Sequence, residues 1–403
     1  MRPDLFRQTL PFDDALRRVL NAAVPVSRTV PLAIDDATGR VASHDVSSPV
    51  DVPPFDRAAM DGYALRAADV TSAGPGSPVA LQCIDRVFTG QMSPHTIGPG
   101  QCVEISTGAP LPRGTDAVVM VERTSRERDR VSILEASRPG QNVGRRGGDI
   151  ATGQFAVRAG DIISPARAGA LAAVGRTAVD VFDRPRVAVL STGSEVTPAG
   201  HPLAPGHIYD VNRITLGALV GQHGGDPFVQ DSADDSIDAL VAALQRAAVY
   251  DVIVTSGGSS VGGPDLLLDA LERCGRIDFH GIAVKPGKPT LFGHVGDTPL
   301  FGMPGNPTSC LSNAYILLVP FLRTMARLPP WQPVRRQLPL ARAVKALADR
   351  HQFYTVRIVN DRVEPAFKSS GDITSMAAAD GYIEVAAGSK GFEAGEMVTV
   401  TVF

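Results

Sequence analysis

Hydrophobic and polar residues alternate with two different periods along this chain, and the changes between them mark its regions. Residues 11–23 place Leu16, Val19 and Ala23 on one side of a helix that begins with two acidic residues, as the positive end of a helix favours. Between about residues 48 and 137, short apolar runs are separated by Gly, Pro and charged residues; they are VALQCIDRVF, QCVEIS, DAVVMVE and RVSILE. This region is predicted to be a small β-rich domain or barrel.

Strands and helices alternate from Arg186 to Leu328. The runs RVAVLS, FVQD, DVIVTS and PLFGM predict strands, and the segments 212–222, 236–248, 265–274 and 307–328 predict the helices that follow them. Such alternation indicates a parallel sheet that is covered on both faces and binds ligands at the carboxyl ends of its strands. Pro320 is expected to bend the last helix. After Pro329 and Pro330 we expect a linker and a further β-rich piece, from YTVRIV, RVEPAF, YIEVAA and MVTVTVF.

Composition narrows the class of protein. The chain has 403 residues, too many for one ordinary domain, and its 44% hydrophobic content suffices for several cores. A formal charge of −3 argues against a nucleic-acid or acidic-membrane partner. Because the N-terminus lacks the apolar core of a signal peptide and residues 315–322 are too few to span a bilayer, we expect a soluble, cytoplasmic protein. The four cysteines show no CxxC spacing and are expected to be small buried hydrophobes.

Three loops have the composition of anion-binding sites. The segment 251–265 (DVIVTSGGSSVGGPD) ends a predicted strand in glycines and serines, and the segment 284–289 (VKPGKP) places Lys285 and Lys288 around a Pro-Gly turn. The third, 300–309 (LFGMPGNPTS), leads from a strand into a helix. Glycines let backbone amides approach a ligand closely, helix N-termini bind oxyanions, and lysines add full charge. The sequence therefore predicts an anionic, phosphorylated ligand.

Carboxylates near these loops could hold a cation, although each also has a structural explanation. Glu195 follows the strand in VLSTGSE and could coordinate Mg²⁺, which prefers one or two carboxylates together with substrate phosphates. It could equally cap the next segment. Asp234 or Asp235, in DSADD, could be only the N-cap of the following helix.

Polar residues of the β-rich region leave the same choice open. On spacing alone, Asp61 in MDGYA is better explained as a turn aspartate that accepts backbone hydrogen bonds. Thr107 in STGAPLP could belong to an ordinary hairpin connection. In GRRGGDI, Arg145 and Arg146 suit an anion and Asp149 suits a metal or hydroxyl, but a solvated surface turn explains this segment about equally well.

Several common site types are excluded by their motifs. There is no G-x-S-x-G, so a Ser-His-Asp hydrolase is not supported, and the eight histidines show no spacing such as HExxH. GSSVGG lacks the Gly-Lys-Ser/Thr ending of a Walker A loop.

The whole ordered set of motifs resembles the molybdopterin molybdenumtransferases, which are similar to the C-terminal part of gephyrin. The motifs are MDGYA, STGAPLP, RRGGDI, VAVLSTGSE, YDVNR, TSGGSSVGGPD, VKPGKP and MPGNP, and they cover nearly the whole chain. The resemblance implies an α/β fold plus β-rich domains, in an elongated homodimer of multidomain subunits. It implies a linker and dimerisation domain (24–47 and 138–180), a small β-rich domain (48–137) and a β-barrel-like C-terminal domain (329–403). The α/β domain (1–23 and 181–328) would have a doubly wound parallel sheet like that of molybdopterin adenylyltransferase.

The resemblance also implies a reaction. Its substrates would be adenylylated molybdopterin and molybdate, with tungstate as an alternative metal, and cleavage of the phosphoanhydride with Mg²⁺ would release AMP and molybdenum cofactor. The upstream adenylyltransferase and client molybdoenzymes are further expected partners.

The same resemblance carries roles over to individual residues. The implied catalytic residues are Asp61, Thr107, Asp149, Glu195, Asp235 (or its neighbour Asp234) and Asp265, with Glu195 and Asp265 as metal ligands. The implied substrate-binding residues are Ser191, Thr192, Gly193, Ser256, Gly257, Gly258, Ser259, Gly262, Lys285, Lys288, Pro304, Gly305, Asn306, Arg357 and Ser375. Arg357, Ser370 and Ser375 match the family pattern only loosely.

Two positions depart from the family pattern, and two other functions compete with the first. Gly281, after His280, stands where many members have a lysine, which weakens the expected basic surface, and Ser259 replaces a usual valine. One alternative is the adenylyltransferase reaction, but that enzyme is similar only to the middle domain. The other is a gephyrin-like scaffold, against which the lack of a long linker or fused module counts.

Overall fold

A computed structural model of the chain describes residues 9–229, 236–257 and 266–403. Contacts divide the chain into two compact units, of which unit 1 runs to Arg28 and resumes at Phe182, and unit 2 is Thr29–Val181. The boundaries of the four predicted domains remain a prediction.

The elements between residues 9 and 182 are mostly short strands, as predicted. In chain order they are α1 (Phe12–Asn21), β1 (Thr29–Ala33), β2 (Val46–Ser47), β3 (Arg57–Ala58), β4 (Gly62–Leu65), β5 (Val79–Val87), β6 (Gln101–Ile105), β7 (Ala117–Met120), β8 (Thr124–Glu127), β9 (Arg130–Ile133), β10 (Val143–Gly144), β11 (Phe155–Val157), α2 (Pro165–Ala173) and β12 (Ala178–Phe182). The four strands predicted in the β-rich region correspond to β5, β6, β7 and β9.

The main sheet of unit 2 has six strands in the order β7-β4-β6-β5-β9-β8. Strand β4, between β7 and β6, is buried on both faces, since Tyr63 and Leu65 pack into one apolar cluster and Ala64 packs into another. Gly62 of the MDGYA motif lies inside β4, where a Cβ atom would come within 1.9 Å of the Val119 carbonyl oxygen. Close packing against β7 therefore requires glycine at this position.

Unit 1 continues with an alternation of strands and helices and ends in further strands. The elements are β13 (Arg186–Ser191), β14 (Val196–Thr197), β15 (Ile208–Tyr209), α3 (Val211–Gln222), β16 (Asp226–Val229), α4 (Ile237–Ala247), β17 (Val252–Ser256), α5 (Leu266–Cys274), β18 (Gly275–His280), β19 (Val284–Lys285), β20 (Leu291–Val295), β21 (Thr298–Met303), α6 (Pro307–Asn313), α7 (Val319–Met325), β22 (Arg335–Pro339), β23 (His351–Val359), β24 (Arg362–Pro365), α8 (Thr374–Ala377), β25 (Gly381–Val385) and β26 (Met397–Val402).

The α/β sheet has the strand order β16-β13-β17-β21-β20-β18. The first four strands are parallel, which confirms the predicted parallel sheet, and β20 and β18 add an antiparallel edge that the sequence pattern did not reveal. Alternate residues of β13 pack on opposite faces: Val187 and Val189 join one apolar cluster, and Ala188 and Leu190 join the other. Both faces are therefore covered, as the doubly wound fold requires.

The helix predicted over 307–328 is interrupted. A π-helical turn, Ala314–Leu318, separates α6 from α7 directly before Pro320. Proline has no N–H and cannot bond to the carbonyl four residues earlier, so a wider turn at this point accommodates it. The helix is therefore irregular next to Pro320, and the bend expected there stays a prediction.

A second sheet of unit 1 joins the α/β loops to the C-terminal strands. Its order is β19-β23-β25-β26-β22, with β24 paired to β23. Strand β19 carries Lys285, which lies opposite Gln352 of β23 in a parallel pairing. The predicted lysine-bearing loop is therefore fixed to the C-terminal sheet.

Only part of the cysteine prediction holds. All four cysteines are free, and Cys102 and Cys310 are buried. Cys83 is half-buried and lies opposite Cys102 on adjacent parallel strands. A hydrogen bond with Cys102 lowers the pKa of the Cys83 thiol, so Cys83 differs from the buried hydrophobe that was expected.

The helices are too short or too polar to cross a bilayer in the part of the chain that the structure describes.

His223 lies among aromatic rings behind the α/β sheet. It is 3% exposed, and its ring centroid lies 5.5 Å from that of Trp331 and 6.2 Å from that of Tyr315. Burial, with a smaller contribution from Arg323, lowers the pKa of His223 to about 4. The imidazole is therefore neutral in the folded protein at neutral pH.

We expect this histidine to make the protein less stable in mild acid. In the unfolded chain this histidine has a pKa near 6.5 and is protonated in mild acid. In the folded chain it becomes protonated only near pH 4. The stabilisation is complete above pH 6.5 and is lost as the pH falls towards 4. Between pH 7.5 and 5, this difference in proton binding should lower the free energy of unfolding by about 1–2 kcal/mol. Urea unfolding followed by Trp331 fluorescence measures it, and His223→Phe should lose this part of the pH dependence; an equal pH dependence in the variant would contradict the assignment.

Candidate functional site

A cavity of about 1010 Å³ opens at the carboxyl ends of three parallel strands of unit 1. Ser191 ends β13, Ser256 ends β17, and Gly305 follows β21; all three line the cavity. The lining also includes the turn from Lys285 to Pro289 and C-terminal residues such as Arg350. Thus the structure brings together the predicted strand-end loops of the α/β domain.

Asn212 ties two of these loops together. It lies in the first turn of α3, where the Asp210 side chain caps the helix by accepting from Arg213 N (2.9 Å). Its Nδ2 donates to Ser256 Oγ (2.6 Å) and to the Gly305 carbonyl (2.7 Å). Asn212 belongs to the YDVNR motif, but no role was predicted for it from the sequence. The signal that could have found it is a capped helix start close to the end of a strand.

Gly257 allows the loops after β13 and β17 to touch. It has φ +94°, and a Cβ atom there would lie 2.4 Å from the Thr192 carbonyl oxygen. Thr192 N donates to the Ser256 carbonyl (2.9 Å), which closes the contact. A side chain at position 257 would therefore force the two loops apart.

Glu195 lies at the edge of the cavity with its side chain exposed. Its carboxylate folds back over Gly193, which has φ +126°, and a Cβ on Gly193 would come within 2.6 Å of Glu195 Oε2. The glycine of STGSE thus makes room for the carboxylate, which faces the same cavity as the lysine-bearing turn.

Four cationic side chains lie around the cavity. Lys285 is exposed and Lys288 is half-buried, and Arg350 and Lys368 come from the C-terminal part of unit 1. Arg350 pairs with Asp349 (3.1 Å) and Lys368 Nζ donates to Thr374 Oγ1 (3.3 Å). Two carboxylates, Glu195 and Asp210, also belong to the lining, and Asp210 is engaged as the cap of α3. Because the four cations outnumber them, this arrangement suits an anionic ligand. Arg350 and Lys368 were not predicted from the sequence.

The residues predicted in the C-terminal domain differ in position. Ser375 is fully buried, accepts from Lys368 N (3.0 Å) and donates to the Ser369 carbonyl (3.3 Å), so it holds a loop that lines the cavity. Asn306 Nδ2 donates to Ser370 Oγ (2.9 Å), which joins that loop to the segment after β21. Arg357 lies on β23, where its guanidinium pairs with Glu364 (3.4 Å).

In unit 2 the structure brings Asp61 and Thr107 together. Asp61 Oδ1 accepts hydrogen bonds from Thr107 N (2.6 Å) and Thr107 Oγ1 (3.0 Å), and these bonds lower the pKa of Asp61. Asp61 is exposed. It therefore has the backbone contact of a structural aspartate, although its partner is 46 residues away rather than in a local turn.

The arginines of GRRGGDI have carboxylate partners within unit 2. Arg145 pairs with Asp56 (3.0 Å), and Arg146 Nε donates to Asp51 (2.6 Å). Hydrogen bonds from Thr152, together with Arg146, lower the pKa of Asp51 to about 2. Asp149 is exposed, and its N–H donates to the Val52 carbonyl (3.0 Å). These contacts are those of an ordered surface turn.

Comparison with known proteins covers nearly the whole chain. The MoeA N-terminal region (domain I and II) matches residues 10–175. The probable molybdopterin binding domain matches residues 188–324, and the MoeA C-terminal region (domain IV) matches residues 337–403.

Individual proteins also match this chain over most of its length. Molybdopterin molybdenumtransferase 2 of Mycobacterium tuberculosis (strain ATCC 25618 / H37Rv) is 38% identical, over 79% of this chain and 81% of that protein. The chain belongs to the molybdopterin molybdenumtransferase family. The Bacillus subtilis (strain 168) molybdopterin molybdenumtransferase is 30% identical over 98% of this chain and 94% of that protein. The crystal structure of the molybdopterin biosynthesis MoeA protein from Pyrococcus horikosii matches with a TM-score of 0.85 and 38% identity, covering 98% and 99% of the two chains.

This membership confirms the resemblance drawn from the motifs, and the chain is an enzyme, a transferase of molybdenum-cofactor biosynthesis. The cavity lies in the segment that matches the probable molybdopterin binding domain, and its C-terminal wall lies in the segment that matches domain IV.

Several predicted residues of this family site lie outside the described residues. They are Asp234, Asp235, Gly258, Ser259, Gly262 and Asp265. Within the described ranges, no group of three or more His, Cys, Asp or Glu side chains is arranged to hold a metal. The predicted metal pair of Glu195 and Asp265 therefore stays a prediction.

Proposed function

We propose that this enzyme inserts molybdenum from molybdate into adenylylated molybdopterin, with Mg²⁺-dependent cleavage of the phosphoanhydride and release of AMP. The observation that carries the proposal is the cavity at the strand ends, whose lining combines Lys285 and Lys288 with the loops that follow β13, β17 and β21. The curated relatives named molybdopterin molybdenumtransferase support the reaction class.

Some residues of the cavity would bind the anionic substrates, and others would hold the surrounding loops in position. The lysines and Arg350 would neutralise the phosphate and molybdate charges, and each charge-assisted hydrogen bond contributes roughly 1.5–3 kcal/mol. Asn212 would keep the β17 and β21 loops at one spacing, because its amide bonds to both. Asp61 and Thr107 are proposed as catalytic residues on the family motif.

The donor chemistry at the cavity edge fits Mg²⁺. Glu195 supplies an exposed carboxylate that faces the anion-binding wall, and a hard cation prefers one or two such oxygens together with substrate phosphates. We propose Glu195 and Asp265 as the residues that would hold it. Bound there, the cation would neutralise phosphate charge and polarise the bond that breaks.

One incubation tests the reaction. Purified protein with adenylylated molybdopterin, molybdate and Mg²⁺ should release AMP and form active cofactor, and omitting Mg²⁺ should stop it. Calorimetry should show that Mg²⁺ raises substrate affinity in the wild type but much less in Glu195→Gln, because the metal and the substrate share one site. AMP release that is indifferent to Mg²⁺ would contradict the metal assignment. Consumption of ATP with molybdopterin, in place of AMP release, would favour the adenylyltransferase alternative.

We also propose that the enzyme acts as a homodimer in the cytoplasm, together with the upstream adenylyltransferase and client molybdoenzymes. The family motifs support this. Light scattering should give about twice the chain mass of 42.3 kDa; a mass of one chain would contradict the dimer.

A further inference from the structure

A buried asparagine lies behind the lysine turn, by which we mean Lys285–Pro289. Asn313 ends α6 and is completely buried. Its Nδ2 donates to the Gly287 carbonyl (2.7 Å) and to Thr290 Oγ1 (2.5 Å). The lysine turn lines the cavity, and Asn313 contacts the turn from the protein side.

The bonding partners determine how the amide is oriented. The Gly287 carbonyl can only accept, so the NH₂ group must face it and Oδ1 must point away. That Oδ1 is buried and has no hydrogen-bond partner in the described part of the chain. An unsatisfied buried oxygen costs about 1–3 kcal/mol. The side chain thus supplies two bonds to the turn region while leaving its own acceptor unused.

Thr290 completes a closed buried set with Asn313 and Gly287. Thr290 is fully buried, and its Oγ1 donates to the same Gly287 carbonyl (2.9 Å). Gly287 has φ +100°, and a Cβ there would lie 2.2 Å from Asn313 Nδ2. The glycine between the two lysines is therefore required both by its backbone conformation and by the amide packed against it.

We propose that Asn313, acting with Thr290, is a positioning residue that holds Gly287 so that Lys285 and Lys288 are presented together to the anionic substrate. Binding with two flexible lysines costs conformational freedom, and a fixed backbone between them lowers that cost. The inference rests on the proposed function for its substrate and on the Asn313–Gly287–Thr290 contacts for its geometry.

Two variants and one control test it. Asn313→Ala and Thr290→Val remove the bonds to Gly287, whereas Leu322→Ala shortens a buried apolar side chain further along the same helical segment and destabilises by packing alone. The N–H groups of Gly281 and Ile282 donate to the carbonyls of Thr290 (2.8 Å) and Lys288 (2.9 Å), so their hydrogen exchange reports on the order of the turn. It should become about tenfold faster in the first two variants than in the control. The KM for molybdate should rise about tenfold, the effect of losing one hydrogen bond of about 1.4 kcal/mol, with kcat changed less than about twofold.

Each result of these measurements either supports or overturns the positioning role of Asn313 and Thr290. Exchange of the Gly281 and Ile282 amides no faster than in Leu322→Ala would overturn the positioning role, whether or not the wild type is active. Faster exchange with an unchanged KM would overturn the positioning role as well, because loosening the turn would then have no effect on substrate binding. If the wild type itself releases no AMP, the proposed function fails, and calorimetric titration of wild type and variants with molybdate alone decides the positioning role. If Asn313→Ala does not fold, Thr290→Val carries the test.

Discussion

Asp61→Asn is expected to lower AMP release by about 10²–10³-fold while leaving the free energy of unfolding nearly unchanged. The asparagine oxygen can still accept both hydrogen bonds from Thr107, so the local contact survives. What disappears is the negative charge, which the lowered pKa of Asp61 maintains throughout the neutral range. Loss of a charged group that acts in acid–base or metal chemistry has an effect of this size. Steady-state AMP release and urea unfolding measure the two quantities.

The matched control is Asp56, a second aspartate of the same segment, which lies on the other side of β3. Asp56→Asn weakens the ion pair with Arg145 (3.0 Å) without touching Thr107, and we expect it to keep near-normal turnover. If Asp61→Asn also kept near-normal turnover, Asp61 would be only the structural partner of Thr107. If both variants lost activity equally, the segment as a whole rather than the Asp61 charge would be required.

Replacing both lysines of the lysine turn should weaken substrate binding strongly. Lys285 and Lys288 line one wall of the cavity, and hydrogen bonds to charged groups contribute roughly 1.5–3 kcal/mol each, so each lysine accounts for about tenfold to hundredfold in affinity. The double variant Lys285→Ala/Lys288→Ala should therefore raise the half-saturating substrate concentration by at least about a hundredfold. Calorimetry with adenylylated molybdopterin measures it.

Salt provides an independent check on these lysines. Added salt should weaken wild-type binding, because it screens charges, and it should weaken the double variant much less. Lys390→Ala, at an exposed lysine outside the cavity lining, serves as the control and should bind as the wild type does. Equal affinity in the wild type and the double variant would show that the turn is merely a solvated surface feature.

The comparison of sequence and structure is clearest in the α/β sheet. The runs that became β13 and β17 are continuously apolar over Val187–Leu190 and Val252–Val254, so they predicted strands covered on both faces. The edge strands β18 and β20 escaped notice because GRIDFH and LFGHV mix polar and apolar residues in short runs. The signal that could have revealed these strands is the Gly296-Asp297 pair, a typical hairpin turn, and in the structure Gly296 has φ +59° between β20 and β21.

The candidate site was only partly visible in the sequence. Lys285 and Lys288 stand out because their chemistry and their Pro-Gly turn are local features. Asn212 does not, since its bond to Gly305 joins residues 93 positions apart, and Asn313 bonds to a glycine 26 positions earlier. Arg350 reaches the cavity wall next to β19, which pairs with β23. No periodicity within a short window encodes such pairings.

By itself, the sequence determined the alternation of strands and helices, the glycines at close backbone approaches and the motifs that mark the family. These properties follow from which side chains must be buried and which backbone angles each residue can adopt, and both are local. Only the tertiary structure decided which loops meet, which polar side chains become buried behind them, and that Arg145 and Arg146 are paired with Asp56 and Asp51. Those outcomes depend on hydrogen bonds between distant segments, whose geometry exists only once the apolar faces have packed.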